Sequence, residues 1–309
     1  MNNVVLNQKK HESVEAGTSF RNAYAKAKYF KAWIWAITLI LAVVQLVASV
    51  YSKKLNFDLT PIVVSLLVVS VIASTFGKQK VSEWHSLGCT IQRLHDHLVL
   101  NIGIKPSYLE VSKDTLTELS CEWLKNNPND KAEFEKWWSV ALDEVPFSVA
   151  KVICSLSTFS WEAELRKRYQ KVLTVLLFAS LIIPLIVAFF ANYMLSQVII
   201  FAVAPFTPFI AVVMDEWLEN KNAEKIANHL TIECHSTWDN TLHFRLSSDE
   251  IMRKVDNHMT YWQEYRQSAT PIFEWLYKRS QAKMEKTMVV NTDALIGLYL
   301  ELNSESTVA

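Results

Sequence analysis

The chain has 309 residues, 50% of them hydrophobic, with a mean hydropathy of +0.11 and 31 basic against 31 acidic side chains. Zero net charge argues against a nucleic-acid partner held by a global positive field, so no DNA or RNA partner is expected. Few glycines and prolines, and no sustained alternation of polar and apolar residues, disfavour a β-sheet architecture. The composition predicts an all-α protein whose apolar residues are concentrated in a few segments.

Sequence signatures of catalysis and of metal binding are missing. The sequence contains no GxSxG, GxxxxGK[ST], GxGxxG or HExxH motif. The four cysteines are isolated from one another, which fits a reducing compartment rather than a disulfide or zinc framework. His95, Asp96 and His97 are consecutive on a predicted helix and therefore point in different directions. We predict no catalytic residue, no metal, no resident cofactor and no enzymatic activity.

Two charge-free segments near the N-terminus are predicted to cross a membrane as a hairpin, residues 32–76. An N-terminal segment, residues 1–31, precedes them. Residues 32–50 form about 28 Å of helix, close to the roughly 30 Å of the hydrocarbon core, and residues 59–76 form the second span. The polar link YSKKLNFD joins the two. No small-residue cleavage pattern follows the first segment, so it is not expected to be a cleaved signal peptide.

Residues 77–171 are predicted to form a cytoplasmic helical block. Helices are expected at about residues 79–98, 112–127, 131–142 and 146–156, and another from about 158 runs into the third span. The first of these carries apolar residues at helical spacing: Leu87, Ile91, Leu94 and Leu98. Asp143 and Glu144 are adjacent, and a helix boundary before Pro146 explains them more simply than acid–base catalysis.

A second transmembrane hairpin is predicted at residues 172–214, with spans at about 172–194 and 198–214. Pro205 and Pro208 predict an irregular or kinked fourth span. No span contains Asp, Glu, Lys, Arg or His, which argues against an ion-coupled transporter. Polar side chains in the spans either bond backbone and neighbouring helices or line a pore between copies. The pore-lining candidates are Gln45, Ser70, Ser74 and Thr207.

Residues 215–309 are predicted to form a cytoplasmic C-terminal helical block. An apolar stripe recurs every four residues on a helix that continues out of the fourth span: Ile226, Leu230, Cys234, Trp238 and Leu242. Ser247 and Glu250 predict a capping box at the start of the next helix. Thr270 and Pro271 predict the N-cap and first turn of a last helix that ends near residue 300.

Basic residues cluster on one side of the predicted spans, although Lys53 and Lys54 in the link between the first two spans weaken this asymmetry slightly. The clustered residues are Arg21, Lys26, Lys28 and Lys31 before the first span, Lys78 and Lys80 after the second, and Arg166, Lys167, Arg168 and Lys171 before the third. The link between the third and fourth spans carries no charge. By the positive-inside rule, both termini and the middle block are predicted to be cytoplasmic.

Residues 135–173 read EKWWSVALDEVPFSVAKVICSLSTFSWEAELRKRYQKVL, with a tryptophan pair, an acidic residue, a proline, a Cys-containing helix and W-x-x-x-L-R-x-x-Y before a span. This segment resembles the SMODS-associated four-transmembrane effector family. The matching residues are Trp137, Trp138, Asp143, Pro146, Ala150, Cys154, Trp161, Leu165, Arg166 and Tyr169. Further matches are Gln8, Tyr24, Ala27, Lys28, Gln92, Asp96, Arg266, Pro271, Tyr277, Arg279 and Glu285. The resemblance covers nearly the whole chain, although IFEWLY departs from the family's proline-acidic-aromatic pattern.

The resemblance implies a multi-pass effector in the bacterial inner membrane, encoded near a nucleotidyltransferase that makes a cyclic oligonucleotide. The cytoplasmic blocks would bind this nucleotide, and an oligomer of the spans would permeabilise the membrane, so that a phage-infected cell stops growing or dies. The implied partners are the lipid bilayer, further copies of the chain and the cyclic oligonucleotide.

Candidate groups for holding an anionic nucleotide are the basic and aromatic side chains of this region: Arg166, Lys167, Arg168, Trp137, Trp138 and Trp161. Alternatively, the basic residues set membrane topology or touch anionic lipid, and the tryptophans fill a helical core. A second function also remains open, that of a non-conducting membrane scaffold or signalling protein whose cytoplasmic blocks bind another protein. Toxicity on expression distinguishes the two functions.

Overall fold

The computed structural model of the protein describes residues 2–55, 60–103, 105–107 and 109–308. Leu59, the first residue of the predicted second span, and part of the preceding link lie outside these residues. The helices are α1 (Val4–Gln8), α2 (His11–Leu55), α3 (Thr60–Leu100), α4 (Lys113–Asn126), α5 (Asp130–Phe134), α6 (Phe147–Phe190), α7 (Leu195–Gln197), α8 (Ala204–Leu242), α9 (Ser248–Arg266) and α10 (Glu274–Val308). A 3₁₀ turn (Val140–Glu144) precedes α6 and a π-helical turn (Val198–Val203) precedes α8.

Four helical segments are long and apolar enough to cross a membrane: His11–Tyr51, Thr60–Leu100, Phe147–Phe190 and Leu195–Leu242. The described residues contain no β-strand. The prediction of an all-α protein with four membrane-spanning helices is therefore confirmed.

The spanning helices are longer than the sequence predicted. The second span and the helix expected at 79–98 are one helix, α3, because Gly77 alone does not interrupt it. The helices expected at 146–156 and from 158 are also one helix, α6, so the break predicted between them was wrong. The helix that contains the first span, α2, likewise begins at His11, well before the predicted span.

The helix predicted at 131–142 was also wrong, since α5 ends at Phe134 and a 3₁₀ turn starts at Val140. The cause is a distant side chain. The Trp138 N–H donates to Gln8 Oε1 at 2.8 Å, and Gln8 Nε2 donates to the Trp138 carbonyl at 3.2 Å. Because the Gln8 amide takes both backbone groups of Trp138, these groups are not available to a helix.

Of the two helix starts predicted in the C-terminal region, the first was correct and the second was wrong. Ser247 and Glu250 form the predicted capping box, in which the Ser247 N–H and hydroxyl both donate to the Glu250 carboxylate. These hydrogen bonds lower the pKa of Glu250. The last helix begins at Glu274 rather than Pro271, and it runs to Val308 instead of ending near residue 300. The prediction for Thr270 failed because its carbonyl accepts a hydrogen bond from Arg166.

The chain divides into two compact units. The first unit comprises Met1–Ala25, Trp84–Lys167 and Asn222–Ala309. Its main apolar core includes Cys154 and Phe159 of α6 and Trp262 of α9. The stripe predicted on α8 faces this core, with Leu230, Cys234, Trp238 and Leu242 buried and Ile226 packed against it. A second core gathers Phe20, Ile91 and Phe134, and the predicted apolar face of α3 packs there.

The second unit comprises Lys26–Glu83 and Arg168–Lys221, which include the four hydrophobic segments. Its interior contains Ala42, Leu46, Ala188, Ala202 and Phe206. Many large apolar side chains on the outer helix faces are exposed, as expected of surfaces that meet lipid: Ile40, Val64, Val68, Ile72, Ile182, Leu185 and Ile186.

The predicted irregularity of the fourth span is confirmed and takes the form of the π turn. The Ala204 N–H bonds the Ile199 carbonyl five residues back. Pro205 and Pro208 lie in the first turns of α8, just after the π turn, and have no N–H to donate to the regular pattern of helix hydrogen bonds.

Candidate functional site

A group of buried and half-buried polar side chains lies in the first unit, where parts of α2, α3, α6 and α9 approach one another. We call it the arginine cluster, and its members are Tyr24, Cys89, Gln92, Asp96, Glu162, Arg166, Gln263, Arg266 and Thr270. Five of these match the family pattern described above: Tyr24, Gln92, Asp96, Arg166 and Arg266. Sequence spacing gave no indication that these five, on four different helices, would lie close together.

Arg266 and Asp96 form the first part of the arginine cluster. Arg266 Nη1 lies 3.5 Å from Asp96 Oδ2, and Gln263 Nε2 donates to the same oxygen at 3.3 Å. The guanidinium carbon is 5.6 Å from the centre of the Trp262 ring. Burial lowers the pKa of Arg266, but the Asp96 carboxylate and other negative groups raise it by more, so the pKa lies above its ordinary value. Arg266 is therefore a buried permanent cation.

Tyr24, Gln92 and Cys89 form the second part. The Tyr24 hydroxyl lies 2.8 Å from Gln92 Oε1 and 3.4 Å from Cys89 Sγ, while Cys89 Sγ lies 3.6 Å from the Arg266 carbonyl. Burial raises the pKa of both Tyr24 and Cys89 above their ordinary values. Both groups are therefore neutral near pH 7 and act as hydrogen-bonding groups beside the charged arginine.

Arg166 forms the third part and is only 4% exposed. Its Nε donates to Glu162 at 2.8 Å, and its Nη1 donates to the Thr270 carbonyl at 2.7 Å. The charges of Arg166 and Glu162 also act on Cys89, which connects this pair to the rest of the cluster. An anion would reach Arg166 only by replacing some of these partners.

The remaining side chains predicted to hold a ligand are dispersed. Lys167 is exposed, and Arg168 belongs to the second unit. Trp161 is half-buried, with its ring 6.3 Å from that of Tyr277. Trp138 is buried in the main core, as the core-filling alternative predicts. The predicted role of these residues in binding stays a prediction.

Trp137 belongs to a second charge network, which is half-buried. The sequence pattern did not indicate this network, because Arg21 was assigned to membrane topology. Arg21 Nη1 lies 2.8 Å from both Asp130 and Glu133 and covers the rings of Phe134 and Trp137. Trp137 itself stacks on Phe134, with ring centres 5.5 Å apart. Burial lowers the pKa of Arg21, but Glu133 raises it by more, which leaves the cation permanently charged.

The other family-pattern residues occupy varied positions. Cys154 is buried in the main core, which raises its pKa, whereas Asp143, Pro146 and Arg279 are exposed. Lys28 is half-buried in the second unit. Tyr169 is completely buried and bonds the side chains of Lys31 and Glu216.

The four pore-lining candidates also differ in exposure. Gln45 and Ser70 are buried within the second unit, and Gln45 Oε1 and Ser70 Oγ have no hydrogen-bond partner among the described residues. Ser74 Oγ and Thr207 Oγ1 donate to backbone carbonyls about one turn earlier in the chain. Thr207 is exposed and Ser74 half-buried, so these two lie nearer the outer surface of this unit.

No three His, Cys, Asp or Glu side chains in the described part of the chain come together as ligands for a metal ion. His95 and His97 of α3 point in different directions, as their positions on a helix require. His95 packs against the rings of Phe20 and Phe134, and His97 Nδ1 bonds the Gly103 carbonyl.

A family model described as the SMODS-associating 4TM effector domain matches residues 2–295. The chain belongs to this family. No curated protein and no solved structure matches the chain. Its family is one of membrane effectors associated with SMODS cyclic-oligonucleotide signalling, not a known class of enzymes. The four spanning helices agree with a multi-pass membrane effector of this family.

Proposed function

We propose that this four-transmembrane effector senses a cyclic oligonucleotide and, as an oligomer in the bacterial inner membrane, permeabilises that membrane to stop the growth of a phage-infected cell. Family membership supports the signalling part of the proposal. The arginine cluster supports the proposal that nucleotide binding acts on the membrane, because three of the helices that contribute to the cluster also contain a membrane-spanning segment.

Each of these three helices carries cluster residues in the part that lies outside its hydrophobic segment. Tyr24 lies on α2, Gln92 and Asp96 on α3, and Arg166 on α6. A helix is a stiff element, so a change in packing around one of these side chains moves the backbone from which a span continues. A cluster of exposed side chains on loops would not have this property.

The chemistry of the cluster suits a phosphate-containing trigger. In the structure the two buried cations, Arg166 and Arg266, are held by the carboxylates of Glu162 and Asp96. A phosphodiester offers guanidinium groups the same paired oxygens as a carboxylate does. The nucleotide would therefore compete with Glu162 and Asp96 for the arginines, and their displacement would favour the open state. Moving a protein from 1% to 99% open requires about 10⁴-fold tighter binding to the open state.

The outer surface of the second unit supports assembly in a bilayer. Its exposed apolar side chains can face lipid or another copy, while the exposed hydroxyl of Thr207 on α8 supplies a polar group for a surface shared between copies. In this proposal the pore forms between protomers, with both termini in the cytoplasm.

The test is dye flux from liposomes that contain the purified protein, with and without a panel of cyclic di- and trinucleotides. We expect flux with one nucleotide and none without it. Arg166→Gln should then require about tenfold more of that nucleotide for half-maximal flux, since one guanidinium–phosphate contact is lost. Arg253→Gln is the matched control, because it makes the same chemical change at an exposed position of the first unit that is not a candidate ligand group, and it should leave the response unchanged.

Silence of the folded, inserted protein across the whole panel would refute the proposal. The scaffold function would then be favoured if expression also proves harmless to cells, since a scaffold needs no opening of the membrane. A Lys167→Ala variant that loses more of the nucleotide response than Arg166→Gln does would place the anion site on the exposed basic surface instead.

A further inference from the structure

Three polar side chains from three helices meet in the interior of the second unit. Lys31 of α2 forms an ion pair with Glu216 of α8, and the Lys31 ammonium donates to the Tyr169 hydroxyl at 2.8 Å. The Tyr169 hydroxyl of α6 in turn donates to Glu216 Oε1 at 2.6 Å. The Lys31 and Glu216 side chains are 5% and 6% exposed. We call these three residues the clasp.

Further polar contacts lie beside the clasp along the same helices. Asn220 Nδ2 donates to Gln170 Oε1 at 2.7 Å, and Trp217 Nε1 donates to Thr174 Oγ1 at 2.9 Å, so three successive contacts join α6 to α8. On the surface, Lys78 of α3 pairs with Asp215 of α8 at 2.6 Å. Polar contacts thus connect all four spanning helices at the ends that sequence predicts to be cytoplasmic.

The clasp and the exposed Lys78–Asp215 pair differ in the free energy that separating their charges would cost. Both charges are buried, so moving α8 away from α2 separates an ammonium from a carboxylate, which costs free energy until water reaches the two groups. The exposed Lys78–Asp215 pair would simply be hydrated. Because separating this buried pair is costly until both charges are solvated, intermediate positions of α8 are disfavoured, and this makes the pair suitable as an element of a switch.

We propose that the clasp is an autoinhibitory contact: it holds α2, α6 and α8 together in the closed state and must break before the membrane is permeabilised. The inference rests on the proposed function, since it assumes that the spans open. It adds the residues that keep the effector closed in the absence of its trigger. Water entering between the separated helices would solvate Lys31 and Glu216 and keep them apart.

The test measures resting flux from liposomes without any nucleotide. Glu216→Gln keeps the side-chain shape but removes the charge that pairs with Lys31, and we expect about tenfold or more resting flux. Tyr169→Phe removes only a hydroxyl and should raise resting flux about threefold. Asp215→Asn is the matched control, because it makes the same chemical change at the adjacent exposed position and should leave the membrane tight.

A second measurement reports conformation and needs neither conduction nor nucleotide. In a Cys121→Ser background, spin labels at Tyr29→Cys and Leu218→Cys, both exposed positions in the second unit, report the distance between α2 and α8. We expect this distance to increase in Glu216→Gln and to stay at the parental value in Asp215→Asn.

Folded Glu216→Gln and Tyr169→Phe proteins with parental resting flux and parental label distance would overturn the clasp. If Glu216→Gln does not fold, the milder Tyr169→Phe variant decides by the same criteria. Failure of the proposed function is a separate result, seen as a parental protein that no nucleotide opens, whatever the clasp variants do.

Discussion

Replacing Arg266 with methionine removes the cation of the arginine cluster while keeping an unbranched side chain of similar length. Asp96 then loses its charge partner, and its carboxylate retains the Gln263 amide at 3.3 Å. Because the Asp96 side chain is only 14% exposed and that of Arg266 only 10%, solvent does not replace the lost contact. The variant therefore tests what an uncompensated charge costs at this position.

The expected magnitude follows from the burial of the pair. Removing one partner of a buried ion pair costs about 3–5 kcal/mol, and the remaining Gln263 contact places this case at about 3 kcal/mol. At about 2–4 °C per kcal/mol for a domain of this size, the midpoint of thermal unfolding of the first unit should fall by about 6–12 °C. Adding Asp96→Asn removes the orphaned charge and should restore about 1–2 kcal/mol of the loss.

The assay is thermal or urea unfolding in detergent micelles, followed by tryptophan fluorescence, since the buried Trp262 ring lies against the Arg266 guanidinium. Lys278→Met is the matched control. Its pair with Glu274 spans 4.0 Å between side chains 71% and 44% exposed, so the change should stay within about 0.5 kcal/mol. The reasoning would be refuted if Arg266→Met lowered the free energy of unfolding no more than Lys278→Met does. It would also be refuted if the double variant with Asp96→Asn were less stable than Arg266→Met alone.

Two further predictions concern packing and thiol chemistry. A Cβ at Gly88 would lie 2.8 Å from Cδ1 of the Tyr24 ring, so Gly88→Ala should lower the free energy of unfolding by about 1–2 kcal/mol even after the gain in helix propensity. At Gly297 no atom lies within 4 Å of the new methyl, so Gly297→Ala should instead raise the free energy of unfolding by about 0.5–1 kcal/mol. Equal effects of the two substitutions in urea titrations would contradict the close contact of Gly88 with Tyr24. Cys121 is exposed, whereas burial raises the pKa of the other three thiols and keeps them protonated, so maleimide at pH 7 should label the folded protein once. Rapid labelling of a second thiol, detected by mass spectrometry, would refute the assigned burial.

Several features were predictable because their causes are local in sequence. A run of about twenty apolar residues meets the thickness of a bilayer whatever surrounds it, and the four spans were found in this way. The capping box at Ser247 involves residues three apart, and the stripe on α8 repeats with the period of the helix. The family pattern identified Tyr24, Gln92, Asp96, Arg166 and Arg266 without indicating why they occur together.

Contacts between residues that are distant in the chain could be known only from the tertiary structure. Gln8 bonds both backbone groups of Trp138, and Arg166 bonds the carbonyl of Thr270, so hydrogen bonds from distant residues prevented two helix predictions based on local sequence from coming true. Lys31 and Glu216 lie next to different spans, and they form an ion pair. Hydropathy predicts that both lie near the membrane surface, but it does not predict that they contact each other. Apolar burial depends on composition along each helix and is therefore readable from sequence. The partner of a buried charge depends on distance and direction between packed helices, which the order of residues alone does not specify.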